Sequence, residues 1–169
     1  MMIQVEELAK QAKKLKGCRK GINQLKNCKT VHEMFDCLYD YIDYCIAKEF
    51  PSKETLLKYD KSTLHAAGIY IDERITISSP RRLLLINSDA KVQVGGYDVC
   101  RIYATGSSKI TVESGQRAVT MIDALGDSEV NVVVANEPSR VIVNLYGNAK
   151  SEGATVTNVT GLETYELQA

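Results

Sequence analysis

The chain has 169 residues, enough for one domain or two small ones, and its 21 basic and 21 acidic side chains give a formal net charge of zero. It has no apolar run near the roughly 18 residues that span a membrane, no secretory signal pattern, and an odd number of cysteines, five, which argues against a closed disulfide framework. These features argue against a membrane-spanning or secreted protein, and we expect a cytoplasmic protein with reduced thiols.

The first part of the chain is predicted to be helical. Residues 3–16 alternate apolar and charged side chains at helical spacing, which predicts a first helix, with a shorter one after it. Thr30 and Glu33 match a capping box, which begins a longer helix. We expect that helix to end at Pro51, because the residue before a proline leaves the helical region. A helical head is therefore predicted over residues 1–67.

The first 30 residues carry eight basic and two acidic side chains and are the only strongly charged part of the chain. Such a segment could contact nucleic-acid phosphates, and the residues to test are Lys13, Lys16 and Lys20. It has no aromatic residue for base stacking and no helix-turn-helix pattern. Lysines that are solvated or paired with acidic residues of the next helix are the simpler interpretation. Nucleic-acid binding is therefore kept as the alternative function.

A four-residue turn recurs in the second half of the chain, as SDAK at 88–91, GSSK at 106–109, GDSE at 126–129 and GNAK at 147–150. Its near-regular spacing predicts a solenoid, in which each coil stacks on its neighbours. Apolar residues there alternate with a period of two, as in strands. The predicted fold class is α+β, a helical head followed by a short single-stranded parallel β-helix over residues 68–169. About five coils are expected, with the right-handed winding of parallel crossovers.

Alignment of the repeats on the turn places aliphatic residues in columns, as the interior of a stack of coils requires. A shorter third side is expected at GGYD (95–98), SGQR (114–117) and ANEPS (135–139). The columns before the turn are Leu84, Ile102, Ile122 and Val143, then Ile86, Ala104, Ala124 and Leu145. The columns after the turn are Val92, Ile110 and Val130, then Val94, Val112 and Val132.

The positions between these columns are predicted to face outward. After the turn they are mostly polar, which indicates a solvated face. Before the turn they are largely apolar, and such a surface needs a cover. The helical head is the cover that we favour, with a second copy or a foreign partner as alternatives. The predicted partner-binding residues are Leu83, Leu85, Tyr103, Met121 and Tyr146.

The two ends of the stack differ, and a terminal coil exposes unpaired backbone groups that invite another strand. The head is expected to cap the upstream end. At the other end, Ser151 and Gly153 fall where earlier coils have valine, and residues 154–169 carry few apolar side chains. Either this tail pairs as a last coil, or two molecules meet there.

No residue pattern predicts catalysis, a metal or a cofactor. Cys18, Cys28, Cys37 and Cys45 contain no CxxC pair, so thiols packed in a core are the preferred interpretation. Neither of the two histidines lies in the repeats, and both phosphate-binding glycine motifs, GxGxxG and GxxxxGK, are absent. We therefore expect a protein that is not an enzyme and that binds neither a metal nor a cofactor.

The residues FPS at 50–52 and GIYIDE at 68–73, followed by these coils, resemble a family of small uncharacterised proteins encoded by phages and other mobile elements of gut Bacteroidetes-type bacteria. The resemblance covers nearly the whole chain and implies a helical head with β-helix repeats. The family has no established activity, so it implies no functional residue. The coils alone also look like those of bactofilins and head-domain adhesins, which lack this helical head.

Two functions from different classes follow from the sequence. The first is a non-enzymatic interaction or scaffold module, whose β-helix face or edge binds a second copy, giving a dimer, or a host protein. If the head covers the predicted contact residues, the site moves to the edge formed by the tail. The alternative is nucleic-acid binding through the basic amino-terminal segment. No membrane partner is expected.

Overall fold

A computed structural model describes residues 2–134 and 138–167 of the chain. The chain forms two compact units, Met1–Asp60 with Tyr165–Ala169, and Lys61–Thr164. The first unit is helical and the second is built mainly of parallel strands. The predicted α+β fold, a helical head followed by a β-helix, is therefore confirmed.

The helical unit packs one apolar stripe of each longer helix into a shared core. Its helices are α1 (Met2–Lys14), α2 (Arg19–Asn27), α3 (Val31–Asp40), α4 (Ile42–Ala47) and α5 (Lys53–Leu56). Within this core the ring of Phe35 lies edge-on to the ring of Tyr59, with 5.3 Å between their centroids. The buried apolar residues are Val5, Leu8, Ala9, Ala12, Leu25, Met34, Phe35, Cys37, Leu38, Cys45, Phe50 and Leu56.

The helix that follows Thr30 begins as predicted but ends early. Thr30 Oγ1 accepts from the backbone N–H of Glu33 at 3.1 Å and Glu33 Oε2 accepts from that of Thr30 at 3.4 Å, so the capping box is confirmed. The helix is interrupted at Tyr41, where φ is −123° and ψ is 37°. At the break the Tyr41 hydroxyl donates to Gln24 Oε1 at 3.2 Å, and Gln24 Nε2 donates to the carboxylate of Asp40, the last residue of α3, at 2.8 Å. Both hydrogen bonds connect this break to α2.

The second unit begins with a sixth helix, α6 (Lys61–Ala66), which packs against the first strand. The predicted domain border between residues 67 and 68 thus falls inside this unit. The strands of the described chain are β1 (Ile69–Ile71), β2 (Arg74–Ser78), β3 (Arg82–Ile86), β4 (Asp89–Val94), β5 (Val99–Thr105), β6 (Lys109–Ser114), β7 (Val119–Ala124), β8 (Glu129–Val134), β9 (Arg140–Leu145), β10 (Lys150–Glu152) and β11 (Val156–Val159).

The strands form two parallel sheets that enclose one core. The odd-numbered strands pair in chain order as a six-stranded sheet, and the even-numbered strands as a five-stranded sheet. Neighbours in each sheet are one winding apart, and their inward side chains form a single buried cluster. Two of its columns are Leu83–Ile102–Ile122–Val143 in the six-stranded sheet and Val92–Val112–Val132 in the five-stranded sheet.

The β-helix is less uniform than five equal coils. Three windings, β3–β4, β5–β6 and β7–β8, have strands of at least five residues in both sheets. The first and last windings each have a strand of only three residues, at β1 and β10. About three turns are therefore regular. The right-handed winding stays a prediction, and residues 135–137 of the predicted ANEPS loop lie outside the described residues.

The β3–β4 winding is offset from the predicted register. Alignment on the turn placed Leu84 in the interior, but Leu83 and Leu85 occupy the inner positions and are fully buried. The cause is the length of the corner, which has two residues at 87–88 between β3 and β4 and three at 106–108 between β5 and β6. Because successive strand residues face opposite sides, a shift of one residue reverses the facing of every side chain in the strand.

Buried serines line the corners between the two sheets. Ser88, Ser108 and Ser128 are fully buried and lie one winding apart. Ser108 and Ser128 each donate from the hydroxyl to the carbonyl three residues earlier, both at 2.8 Å. These hydrogen bonds give each buried hydroxyl an acceptor within its own corner, as a buried polar group requires.

Glycine begins each later corner because the backbone there is left-handed. Gly106, Gly126 and Gly147 have φ values of 67°, 69° and 61°. A Cβ at Gly126 would also lie 3.0 Å from the carbonyl oxygen of Gly106, so the stacking of corners leaves no room for a side chain. Asn87 takes this place in the corner between β3 and β4 with a φ of 48°, which asparagine tolerates better than most residues.

Candidate interaction surface

The structure separates the five predicted partner-binding residues. The prediction that Leu83 and Leu85 face outward is wrong, because the register offset places both in the core of the β-helix. Tyr103 lies on the outward side of β5 but is only 5% exposed. Met121 and Tyr146 are half-buried. These five residues therefore do not form one exposed apolar surface.

The outward side of the six-stranded sheet carries a ladder of amides that leads to the end of the stack. Asn144 Nδ2 donates to Asp123 Oδ1 at 2.6 Å, and Asn158 Nδ2 donates to Asn144 Oδ1 at 2.9 Å. The three residues form one column on β7, β9 and β11. The direction of donation is fixed, since a carboxylate only accepts and Asn144 must turn its amino group toward it. Burial raises the pKa of the Tyr146 hydroxyl, and the charge of Asp123 raises it further.

The last strand, β11, is exposed at all four of its positions. One of its edges pairs with β9, and no strand of the described chain pairs with the other. Val159 is 79% exposed and Val156 is 38% exposed. The strand has no charged residue and no proline, the features that commonly protect an edge from further pairing. It presents a free and uncharged strand edge.

Alternation along β11 identifies which backbone groups face this free edge. The backbone N–H of Thr160 donates to the Leu145 carbonyl of β9 at 3.0 Å. Successive residues of a strand direct their N–H and C=O groups to opposite neighbours. Asn158 therefore bonds toward β9, as Thr160 does, while Thr157 and Val159 direct their backbone groups to the free edge.

Helix α6 packs at the other end of the six-stranded sheet. The His65 ring stacks on the Tyr70 ring, with 4.6 Å between centroids. His65 Nε2 lies 3.1 Å from Glu73 Oε1, and Lys61 Nζ lies 3.4 Å from Glu73 Oε2. Burial alone would raise the pKa of Glu73, but the hydrogen bond and charge of His65, with Lys61, outweigh it and lower that pKa. A polar network thus fastens α6 to the first winding.

The outward face of the five-stranded sheet is mostly polar, and one of its columns alternates in charge. Arg74 Nη2 lies 3.2 Å from Asp89 Oδ2, and Lys109 Nζ lies 3.5 Å from Glu129 Oε2. Lys150 continues the column on the last strand of this sheet. Exposed pairs of this kind each contribute less than about 1 kcal/mol. Their main effect is to favour the register that places opposite charges side by side.

The valine columns of the core end at the last winding. Ser151 pairs in register with Val130, and its hydroxyl is buried without a hydrogen-bond partner in the described chain. Gly153 has a φ of 78°, and a Cβ there would collide with the carbonyl oxygen of Val132. The chain therefore turns closely under β8 at this point, which explains why no valine follows.

The basic residues proposed for nucleic-acid binding are all exposed. Lys13 lies in the last turn of α1, Lys16 in the connection that follows, and Lys20 in the first turn of α2. Lysine near a helix carboxyl end is favoured by the helix dipole, which explains Lys13 without a ligand. Binding of nucleic acid by these residues stays a prediction.

Of the five cysteines, three are buried, Cys28 is half-buried and Cys18 is exposed. Cys37, Cys45 and Cys100 are buried, and burial raises the pKa of each thiol to about 12, so these thiols stay protonated and unreactive. Cys18 is exposed instead, and its Sγ accepts from the backbone N–H of Gly21 at 3.3 Å, where α2 begins. The core interpretation is therefore wrong for Cys18. Among residues 2–134 and 138–167, no three metal-ligating side chains cluster as a metal site requires.

Comparison of the chain with protein-family models, with curated proteins and with solved structures finds no match. None of the helices that the structure describes combines the length and apolar character needed to cross a bilayer. A fold alone does not define a function, so the surfaces of this chain are what indicate one.

Sequence reasoning named the tail edge but missed the residues that form it. Asn144 and Asn158 each stand between two inward-facing residues, and this shared pattern is the signal that could have aligned them. The step between them is only 14 residues, whereas Asp123 and Asn144 are 21 residues apart. The shorter step conceals the last strand from an alignment based on equal coils.

Proposed function

We propose that the protein is a non-enzymatic interaction module that joins another polypeptide strand at the free edge of β11. The observation that carries this proposal is that β11 is uncharged, exposed at every position and paired on one edge within the described chain. An added strand gains main-chain hydrogen bonds that such an edge otherwise leaves to water. The tail edge is therefore preferred to the apolar face predicted from the sequence.

The structure of the β-helix supports this role by presenting the edge on a stiff support. Parallel ladders, buried serine corners and the charged column fix each winding on the next. A preorganised strand loses little conformational entropy when it binds, so more of the interaction energy is retained as affinity. On the six-stranded sheet α6 packs against β1, so β11 is the edge available for pairing.

A proline at Thr157 tests the proposal. The N–H of Thr157 faces the free edge, so its removal costs no hydrogen bond within the β-helix, and proline is tolerated at such edge positions. Wild type and Thr157→Pro would be compared by light scattering for self-association and by pull-down of bacterial polypeptides. We expect Thr157→Pro to abolish the association that wild type shows, at an unchanged melting temperature.

Two outcomes would contradict the proposal. One is an association with a second copy or another polypeptide that Thr157→Pro leaves intact. The other is a wild-type protein that binds neither a copy of itself nor any polypeptide up to millimolar concentration. Circular dichroism of both proteins shows whether the variant retains its fold.

A charge-reversal variant distinguishes nucleic-acid binding, the alternative function, from strand pairing at β11. A salt-dependent shift of labelled DNA or RNA, lost when Lys13, Lys16 and Lys20 are all changed to Glu, would favour nucleic-acid binding. The same triple variant should leave strand pairing at β11 unchanged. A cytoplasmic location and the resemblance to phage and mobile-element proteins stay predictions.

A further inference from the structure

We propose that β11 pairs antiparallel with β11 of a second copy, about a two-fold axis at Asn158. This inference rests on the proposed function, because it names the strand that joins the free edge. It starts from the direction of the amide ladder, in which each Nδ2 donates toward Asp123. Asn158 is the last amide, and within the described chain its Oδ1 and its second Nδ2–H have no partner.

A second copy supplies the groups that this amide lacks. Two primary amides that face each other across a two-fold axis form a reciprocal pair, in which each Nδ2–H donates to the Oδ1 of the other. A two-fold interface places the same residue on both sides, so Asn158 meets Asn158. The other N–H of each Asn158 amide keeps its hydrogen bond to Asn144 Oδ1 of its own copy. The two ladders then join into one that runs from Asp123 of one copy to Asp123 of the other.

The backbone hydrogen bonds favour the same position for the two-fold axis. With the axis at Asn158, Thr157 lies opposite Val159 of the second copy, and the two residues exchange both of their free hydrogen bonds. Every backbone group that β11 directs to its free edge is then used. With the axis at Thr157, Val159 would lie opposite Thr155, which is outside the strand. The first register is therefore the one that satisfies β11 fully.

The side chains of β11 fit this register. Asn158 occupies a non-hydrogen-bonded pair, where opposing Cα atoms approach to about 4.5 Å and side chains are closest. On the inward side, Thr157 and Val159 continue the core columns of Val143 and Leu145. Pairing places Val159, 79% exposed in the single chain, against Thr157 of the second copy. The absence of charge on β11 means that no like charges meet across the axis.

A substitution at the axis tests the inference in the full chain. Wild type should sediment as a dimer at millimolar concentration, and Asn158→Asp should weaken dimerisation by roughly tenfold or more at neutral pH, since two carboxylates would face each other. Acidification to about pH 4 should restore part of the dimer, because a protonated carboxyl regains a donor. Asn131→Asp, the same change on the exposed outward side of β8, is the matched control and should leave the dimer intact.

Disulfide trapping tests the register. In a Cys18→Ser background, which keeps a capping oxygen at the start of α2, Asn158→Cys should form a linked dimer on mild oxidation. Val156→Cys should not, because residue 156 would lie opposite residue 160 of the second copy. Non-reducing gels and mass spectrometry of the linked peptide report the result.

Each outcome decides the inference. A dimer that Asn158→Asp weakens, trapped by Asn158→Cys alone, supports it. A wild-type monomer at millimolar concentration overturns it, as does a dimer that ignores Asn158→Asp or that Val156→Cys traps equally well. If the monomer instead binds a polypeptide and Thr157→Pro abolishes that binding, this inference fails while the proposed function stands.

Discussion

The hydroxyl of Ser108 accepts a hydrogen bond of 3.1 Å from the backbone N–H of Ser88, one winding earlier in the chain. The same hydroxyl donates to the carbonyl of Thr105 at 2.8 Å. One buried hydroxyl therefore connects two windings at the corner where the chain passes from one sheet to the other. Small polar residues at such corners therefore contribute to the stability of the stacked windings.

Replacement of Ser108 by alanine should lower the free energy of unfolding by about 1–2 kcal/mol, because the N–H of Ser88 is then buried without an acceptor. The exposed neighbour Ser107 is the matched control, and Ser107→Ala should change stability by less than about 0.5 kcal/mol. Urea unfolding with an unchanged denaturant slope measures both. Equal losses in the two variants would contradict a role for the buried serines.

Thr120→Val should stabilise the β-helix by about 1 kcal/mol, since a hydroxyl that is buried without a partner carries a desolvation cost. Thr120 Oγ1 is such a group in the described chain, in the inner column between Cys100 and Val141. Thr105→Val is the matched change at a hydroxyl that donates to the Leu85 carbonyl at 3.2 Å, and it should destabilise. Thermal unfolding of both variants is the measurement, and shifts of the same sign would refute the argument.

Gly126→Ala should destabilise by about 1–2 kcal/mol, because alanine resists a φ of 69° and its Cβ would press on the Gly106 carbonyl. At Gly115 a Cβ would meet no atom within 4 Å, so Gly115→Ala should be neutral or slightly stabilising. Chemical unfolding of the pair separates the two cases. A similar loss of stability in both variants would indicate that the corner geometry at Gly126 is not its cause.

Glu73→Gln should make the stability of the β-helix less sensitive to acid. The pKa of Glu73 is lower in the fold than in the unfolded chain, so its contribution is complete above the unfolded pKa and is lost as pH falls through the folded one. We expect wild type to lose stability between about pH 5 and pH 3, with a flatter profile in the variant. Melting temperatures across this range measure it, with the exposed Glu152→Gln as control. Parallel profiles for all three proteins would argue against the contribution of Glu73.

The solenoid could be predicted from the sequence because stacked windings repeat the same kinds of residue. Ile102, Ile122 and Val143 were placed in one inner column and share one in the structure. The β3–β4 winding could not be placed, because Leu83 and Leu84 are equally apolar and either register buries a leucine. Only the length of the corner separates the two registers, and the resemblance of SDAK to GSSK concealed it.

The position of the candidate site, at the end of the stack, could be predicted from the sequence, but the residues that form it could not. Ser151 and Gly153 stand where earlier windings have valine, and this change indicated where the core ends. Recognition of β11 depends on hydrogen bonds between Asn144 and Asn158, which a search for apolar columns does not detect. Polar ladders are set by donor and acceptor geometry in three dimensions, so their members become evident only once the windings are stacked.

The charged column of the five-stranded sheet limits how the β-helix can change length during evolution. Its members alternate in sign from Arg74 through Asp89, Lys109 and Glu129 to Lys150. Deletion of the winding that carries Lys109 would place Asp89 beside Glu129, two like charges on adjacent strands. Deletion of two successive windings would bring Asp89 to Lys150 and keep the alternation. We therefore expect related chains that keep this column to gain or lose windings in pairs.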